Sequence, residues 1–387
     1  MAPRSRVAVV GIGQVGYRSA ITELEYKEMD YEAAAKACAD AEIDPRKDIG
    51  SFVHAQEDFW EGYSITSEYS PDQVGGALRS VCTVTGDGLQ AFVTAFMHIV
   101  SGVSEVALVV SHGKPSEILD MNKVMQLALD PVYERPLGIN HLTPYAFEAR
   151  AFLDKYRLGR EALAYVVAKN RRNALRNPRA AYPIDMNKED ILMHGEEIPP
   201  LSRLDVAGYA DGAVVVILAD ARRARKMSEV PVYVRGVAWA SETSSLSMRD
   251  YYGFPHVRYA AKKSIEMAGV RRPGREIDLA ELEDRVSYME LQSVVAYGFF
   301  QDRELKQVVN RGLTEMGGDV PVNVSGGALG MGNILEATGL ARLYEAVLQL
   351  RGEAGQNQLD EAEVAVVNSR REPPSGTCTS VILSTEP

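Results

Sequence analysis

With 387 residues, 46% of them hydrophobic and 25% charged, the chain can bury a large core as two domains or one duplicated unit, and global disorder is excluded. The 42 Lys and Arg residues against 53 Asp and Glu give a formal charge of −11, which excludes the basic excess that nucleic-acid binding needs. Cys38, Cys82 and Cys378 show no paired metal-ligand spacing, so neither a zinc site nor a disulfide framework is expected.

The N-terminus runs into the apolar stretch 7–10 with no cleavage pattern, and no segment reaches the ~18 apolar residues that span a bilayer. A soluble, cytoplasmic chain is therefore expected. Short β-branched runs at 6–11, 50–54, 105–111, 212–218, 231–239, 363–368 and 379–383 predict strands. Helical spacing between them predicts helices at 31–41, 86–100, 160–173, 257–268, 287–300 and 333–350. Strands alternating with helices imply a layered α/β architecture. The alternation runs twice, and the charged stretch 219–229 marks the join. This divides the chain near residue 226 into an N-terminal half (1–226), holding the loop-rich region 112–203, and a C-terminal half (227–387).

Four motifs stand out. Gly11-Ile12-Gly13-Gln14-Val15-Gly16 follows the first strand as a complete G-x-G-x-x-G, but no helix starts at its second glycine and no acidic strand end follows. A tight turn is the expectation there. Thr83-Val84-Thr85-Gly86-Asp87-Gly88 leads into an apolar helix. It reads equally as a nucleophile and N–H groups at the positive end of a helix dipole, or as a Thr/Asp cap on a core helix. The segment 278–291 holds Glu283, Asp284 and Tyr288 between a strand and a helix, pointing into a cleft or forming a solvated helix start. Asn323-Val324-Ser325-Gly326-Gly327-Ala328-Leu329-Gly330-Met331-Gly332-Asn333 packs glycines densely before a long helix. That pattern suits a backbone passing close to a ligand, with Asn333 placed to hydrogen-bond a carbonyl.

Taken in order, the opening strand and glycines at 7–16, the pattern 83–86, Lys169-Asn170 with Asn177-Pro178, Asp211-Gly212-Ala213, the segment 281–291 and the loop-helix 325–339 resemble the thiolase superfamily. The likeness is to its sterol-carrier-type branch and covers nearly the whole chain. The resemblance implies a five-layer αβαβα fold built from two similar βαβαβαββ halves. It also implies an acyl-coenzyme A thioester as substrate, contacts to it from Ser325, Gly326, Gly327 and Gly330, and a homodimer. Members of this branch often work with a small zinc-ribbon and OB-fold protein.

At the catalytic elements the sequence departs from the family pattern. The nucleophilic cysteine aligns with Thr83, while Cys82 stands one residue early and would face away from the cleft on an extended backbone. The family's thioester-polarising histidine aligns with Asn333, and the second oxyanion-hole residue with Glu283, a carboxylate that would repel an oxyanion. The loop that often carries a second cysteine is replaced by 369–377, with Cys378 beside it in an apolar strand. These departures suggest a rebuilt site that makes or cleaves a carbon–carbon bond next to the thioester without an acyl-cysteine. In that reading Asn333 and the backbone N–H groups near Thr83–Gly86 position the carbonyl, and Glu283, Asp284 or Tyr288 moves the proton. Two alternatives stand beside it: an acetyl-CoA acetyltransferase-type thiolase using Cys82, and a non-catalytic subunit that binds coenzyme A or scaffolds a partner.

Overall fold

The computed structural model describes residues 7–58, 66–371 and 376–387. Residues 372–375, within the segment expected to replace the second-cysteine loop, lie outside the described residues.

The principal elements, in chain order, are β1 (Val7–Arg18), α1 (Tyr26–Asp40), β2 (Ser51–Ala55), β3 (Ser80–Val84), α2 (Gly88–Val100), β4 (Val106–Gly113), α3 (Thr143–Tyr156), α4 (Arg160–Ala174) and β5 (Asp211–Asp220). They continue with β6 (Val232–Ser241), α5 (Pro255–Ala268), β7 (Leu279–Glu281), α6 (Tyr288–Ala296), α7 (Thr338–Arg351), β8 (Val364–Arg370) and β9 (Thr377–Ser384). Nine strands hydrogen-bond in the order β3-β2-β4-β5-β1-β6-β9-β8-β7.

The order of the first five strands reappears in the last four. β6 takes the place of β1, β9 of β5, β8 of β4 and β7 of β2, while Val322 bridges Ala280 in parallel as β3 pairs with β2. Each half is thus a mixed sheet, and the two join edge to edge where Ala8 and Val9 pair with Tyr233 and Val232.

Alternation along the strands builds the layers, because successive side chains leave opposite faces of a strand. Val7 and Val9 of β1, Val214 and Val216 of β5, Ala365 and Val367 of β8, and Val381 and Leu383 of β9 all enter one middle core with α2 and α7. The intervening residues Ala8, Val10, Val215 and Ile217 pack outward on α1. In the second half, Val366, Cys378 and Ile382 pack outward with α4, α5 and α6. Helix, sheet, paired central helices, sheet and helix make five αβαβα layers, as the resemblance implies.

The G-x-G-x-x-G run is not a turn. It lies wholly inside β1, and its glycines let α1 press on the strand: a Cβ on Gly11 would stand 2.4 Å from the Ala37 carbonyl oxygen, and one on Gly13 2.1 Å from that of Ala33. A side chain at either position would hold the helix off the sheet.

Candidate active site

The two central helices begin beside each other, and their meeting point is built around Asp87. This residue caps α2, its Oδ1 accepting the Leu89 N–H at 2.9 Å. Its Oδ2 accepts the Ser369 hydroxyl at 2.8 Å and the Gly339 N–H of α7 at 3.3 Å. Gly339 has to be glycine, since a Cβ there would fall 1.8 Å from Asp87 Oδ1. One carboxylate therefore satisfies amides from the positive ends of two helices. Burial pushes the Asp87 pKa up to about 6, against the pull of the Arg285 guanidinium and the hydrogen bonds. The sequence suggests Asp87 only as a cap. Its second role depends on Gly339 and Ser369, which are 252 and 282 residues away.

β3 enters this point differently from the expectation. Its register pairs Cys82 with Val53 and Thr83 with His54. Val53 belongs to the middle core, so Cys82 faces the central helices and Thr83 faces the opposite side of the sheet. Thr83 also lies within the strand, four residues before the cap, and not at the helix opening. Its hydroxyl is buried and has no hydrogen-bond partner. The turn that opens α2 is Thr85-Gly86-Asp87, without a cysteine. Burial raises the thiol of Cys38, in α1, to about 11 and that of Cys378, in β9, to about 12, so both stay protonated at neutral pH.

Glu283, Asp284 and Tyr288 come together, but in a sealed ionic network and not a cleft. Glu283 Oε1 accepts from the Arg285 Nε at 3.0 Å and the Arg342 Nη2 at 2.8 Å, and its Oε2 accepts from the Arg285 Nη2 and the Arg370 N–H, both at 2.8 Å. Burial alone would raise its pKa, but the Arg285 and Arg342 guanidiniums outweigh it and hold the carboxyl well below the usual range. Asp284 accepts the Ala328 N–H at 2.7 Å, the Arg342 Nη2 at 3.0 Å and the Asn170 Nδ2 at 2.8 Å. The Tyr288 hydroxyl donates to Glu148 at 2.9 Å, and burial together with that carboxylate raises its pKa well above the phenol value. All three residues are fully buried. A carboxylate held by two arginines and a tyrosine bonded to an anion are poor proton carriers at neutral pH.

The glycine-rich loop is likewise turned inward. Ser325 bonds Glu281 through its N–H at 3.1 Å and its hydroxyl at 2.6 Å. Cβ atoms on Gly326 and Gly330 would meet Ala174 Cβ at 2.7 and 2.6 Å, and one on Gly327 would meet Asp284 Oδ2 at 2.1 Å. These glycines allow the loop to approach α4 and the ionic network, so the close contact expected with a ligand is made with the protein itself. Asn333 lies just before α7. Its backbone bridges to Gly208 and Ala210, and its Oδ1 accepts the Leu335 N–H at 3.1 Å and the Thr338 hydroxyl at 3.2 Å. It stands near the α7 start, as expected, and that oxygen serves as a local cap.

An apolar groove of about 820 Å³ opens in the irregular segments 127–139 and 244–251. Leu129, Leu137, Ile139, Phe147, Leu246 and Tyr251 contribute to its lining. Glu148, next in sequence to the lining residue Phe147, pairs with Arg249 at 3.4 Å and Arg370 at 3.2 Å. Among the described residues no helix is long and apolar enough to cross a membrane, and no cluster of three or more His, Cys, Asp or Glu residues is arranged to hold a metal ion.

Two mirrored sheets enclosing a pair of central helices whose N-termini meet define a thiolase-type fold, and comparison with known proteins agrees. Residues 238–384 match the family model described as thiolase C-terminal domain-like. An acetyl-CoA acetyltransferase of Methanothermobacter thermautotrophicus is 31% identical over 374 residues, 94% of this chain and 95% of that protein. Sterol carrier protein 2 of Oryctolagus cuniculus is 27% identical over 95% of this chain and 70% of its own length. A steroid side-chain-cleaving aldolase of Thermomonospora curvata is 28% identical over 248 residues, 62% of each chain. Among solved structures, the Ltp2-ChsH2(DUF35) aldolase superposes with a TM-score of 0.84 at 23% identity, covering 98% of both chains. The chain belongs to the thiolase superfamily, as a member resembling the sterol-carrier-type thiolases.

Proposed function

We propose that the protein is an enzyme that makes or cleaves a carbon–carbon bond next to a coenzyme A thioester, by Claisen or aldol chemistry, without an acyl-cysteine. One observation carries this reading: the turn opening α2 is Thr85-Gly86-Asp87, and the Asp87 carboxylate occupies the Leu89 and Gly339 amides at the two helix starts. A thiolate placed there would be repelled by that carboxylate and would lose the helix N–H groups that favour it. Asp87, with a pKa near 6, suits proton transfer at neutral pH better than Glu283 or Tyr288. Asn333, bonded to the Thr338 hydroxyl next to Gly339, is the candidate group for the thioester carbonyl, and the groove at 127–139 suits a bulky apolar acyl group. The aldolase among the relatives supports carbon–carbon cleavage.

The acyltransferase reading keeps two supports: Cys82 faces the central helices, and the acetyltransferase relative is 31% identical. Cys82→Ala separates the two readings. Turnover of acyl-coenzyme A substrates should persist in the variant within about threefold. A loss of at least 100-fold, with a thioester adduct on Cys82 found by mass spectrometry of the wild type, would establish the acetyltransferase. Binding of acyl-coenzyme A with no turnover of any thioester would instead favour a non-catalytic subunit.

The family resemblance extends the proposal to a homodimer, division of the chain near residue 226, and a small zinc-ribbon/OB-fold partner. Support for the dimer lies in β3, an outer strand of the sheet with partly exposed residues, preceded by the fully exposed Leu78.

A further inference from the structure

A groove whose charged groups are spent on its own backbone offers a ligand mainly hydrocarbon, and its shape is set by whatever holds its walls together. The groove at 127–139 and 244–251 is built this way. Its first wall, 127–139, closes on itself: the Asp130 carboxylate accepts the Val132 and Tyr133 N–H groups at 2.8 and 2.7 Å, and the Arg135 Nη2 donates to the Leu127 and Leu129 carbonyls at 2.8 and 3.2 Å. The second wall, 244–251, is braced within itself. The Tyr251 hydroxyl donates to the Leu246 carbonyl at 2.8 Å, and the Glu242 carboxylate accepts the Asp250 N–H at 2.6 Å.

Glu134 joins the two walls. Its Oε2 accepts the Asp130 N–H of the first wall at 3.0 Å, and its Oε1 accepts the Leu246 N–H of the second at 2.7 Å. It lines the groove but is only 8% exposed, so both oxygens are committed to this tie. The far end of the second wall is fastened to α3 instead: Arg249 pairs with Glu148 at 3.4 Å, the Lys155 ammonium donates to the Tyr252 carbonyl at 2.8 Å, and the Tyr251 ring meets that of Phe147 edge-on with centroids 6.2 Å apart. Those contacts hold 249–252, while the Glu134 bond holds the tip at Leu246. Removing the carboxylate would leave two backbone N–H groups without their acceptor and release that tip. The wall also communicates with the candidate active site. Glu148 pairs with Arg370 at 3.2 Å as well as with Arg249, and Ser369, the residue before Arg370, bonds Asp87 at 2.8 Å.

We propose that Glu134 is a specificity-determining residue: by tying both walls it fixes the width of the groove, and with it the size of apolar acyl group that the enzyme accepts. The inference rests on the proposed function, in which the groove receives the acyl group of a coenzyme A thioester. Glu134 acts through the backbone of Leu246 and does not touch the reacting atoms.

The experiment compares the wild type with Glu134→Ala and Glu134→Gln, using acetyl-coenzyme A, dodecanoyl-coenzyme A and free dodecanoic acid in calorimetric titrations, with turnover measured on the two thioesters. Glutamine keeps one acceptor oxygen and alanine none. The wild type should bind dodecanoyl-coenzyme A more tightly than acetyl-coenzyme A. Glu134→Ala should lower that ratio of affinities about tenfold, with Glu134→Gln between the two, and in turnover the loss should fall on KM more than on kcat. A residue that only stabilises the fold would lower the melting temperature and weaken both thioesters equally; that result, or an unchanged ratio, would overturn the inference. If Glu134→Ala does not fold, Glu134→Gln carries the same test, with the ratio lowered at least about threefold. Dodecanoic acid separates the two failures. If it binds the wild type and responds to Glu134→Ala while neither thioester binds, the coenzyme A reading fails and the width-setting role stands. If dodecanoyl-coenzyme A is turned over with one KM in all three proteins, the role fails and the coenzyme A reading stands.

Discussion

Asp87 is held by three hydrogen-bond donors and sits 3.8 Å from Arg285, yet burial still lifts its pKa to about 6. If it accepts the proton in the bond-making or bond-breaking step, kcat should rise as pH climbs through about 6 and then level. Asp87→Asn keeps a good cap, so helix α2 should survive, while kcat falls about 100-fold and that rise disappears from the pH profile. Glu281 offers a stability counterpart. Burial raises its pKa from about 4.5 to about 8, against the Ser325 hydrogen bonds, so the folded state holds a proton that the unfolded chain releases. Between those values the folded state binds more protons, and stability must fall as pH rises across the window. Glu281→Gln should flatten that part of the dependence, so that denaturant midpoints of variant and parent diverge in the variant's favour toward pH 8–9. Of these two residues the sequence shows identity and, for Asp87, the start of a helix. What it hides is the company they keep, since the partners of Asp87 come from the other half of the chain. Glu283 finds Arg285 two residues on, but the arginine it shares with Asp284, Arg342, stands 59 and 58 residues away within the same half of the chain.

Glycine decides how closely the elements approach. Gly13→Ala would place a methyl 2.1 Å from the Ala33 carbonyl oxygen and 2.6 Å from the Ala37 nitrogen. Helix α1 must then move, at a cost of about 1–3 kcal/mol in unfolding free energy. Because α1 packs on the outer face, away from Asp87, activity per folded molecule should stay within about twofold. A large loss of specific activity with unchanged stability would contradict this placement. At this scale the sequence reads well where patterns are long: α4, at Arg160–Ala174, begins where its spacing predicts and ends one residue later. It reads poorly where elements are short or half-exposed. β7 has three residues and β3 has five, four of them only partly buried, so neither shows the alternation or apolar run that marks a strand. α3 begins with Thr143-Pro144 after an irregular stretch and mixes exposed and buried positions, leaving no clean apolar stripe.

For the whole molecule, the fold was legible because its duplicated alternation of strands and helices is a pattern of long periods, and because dispersed motifs fall in the family's order. The direction of the glycine-rich loop was not, since a glycine required for approach to a helix looks the same in sequence as one required for approach to a ligand.

The contact of Ala8 and Val9 with Val232 and Tyr233 carries a further consequence. Those two pairs stitch what would have been separate β-scaffolds into one continuous ribbon, while α2 and α7 share a single interior. Neither half can melt without exposing that interior in the other. Scanning calorimetry should accordingly record one endotherm, with calorimetric and van't Hoff enthalpies agreeing to within about 10%. Two resolved endotherms would mean that the seam yields first.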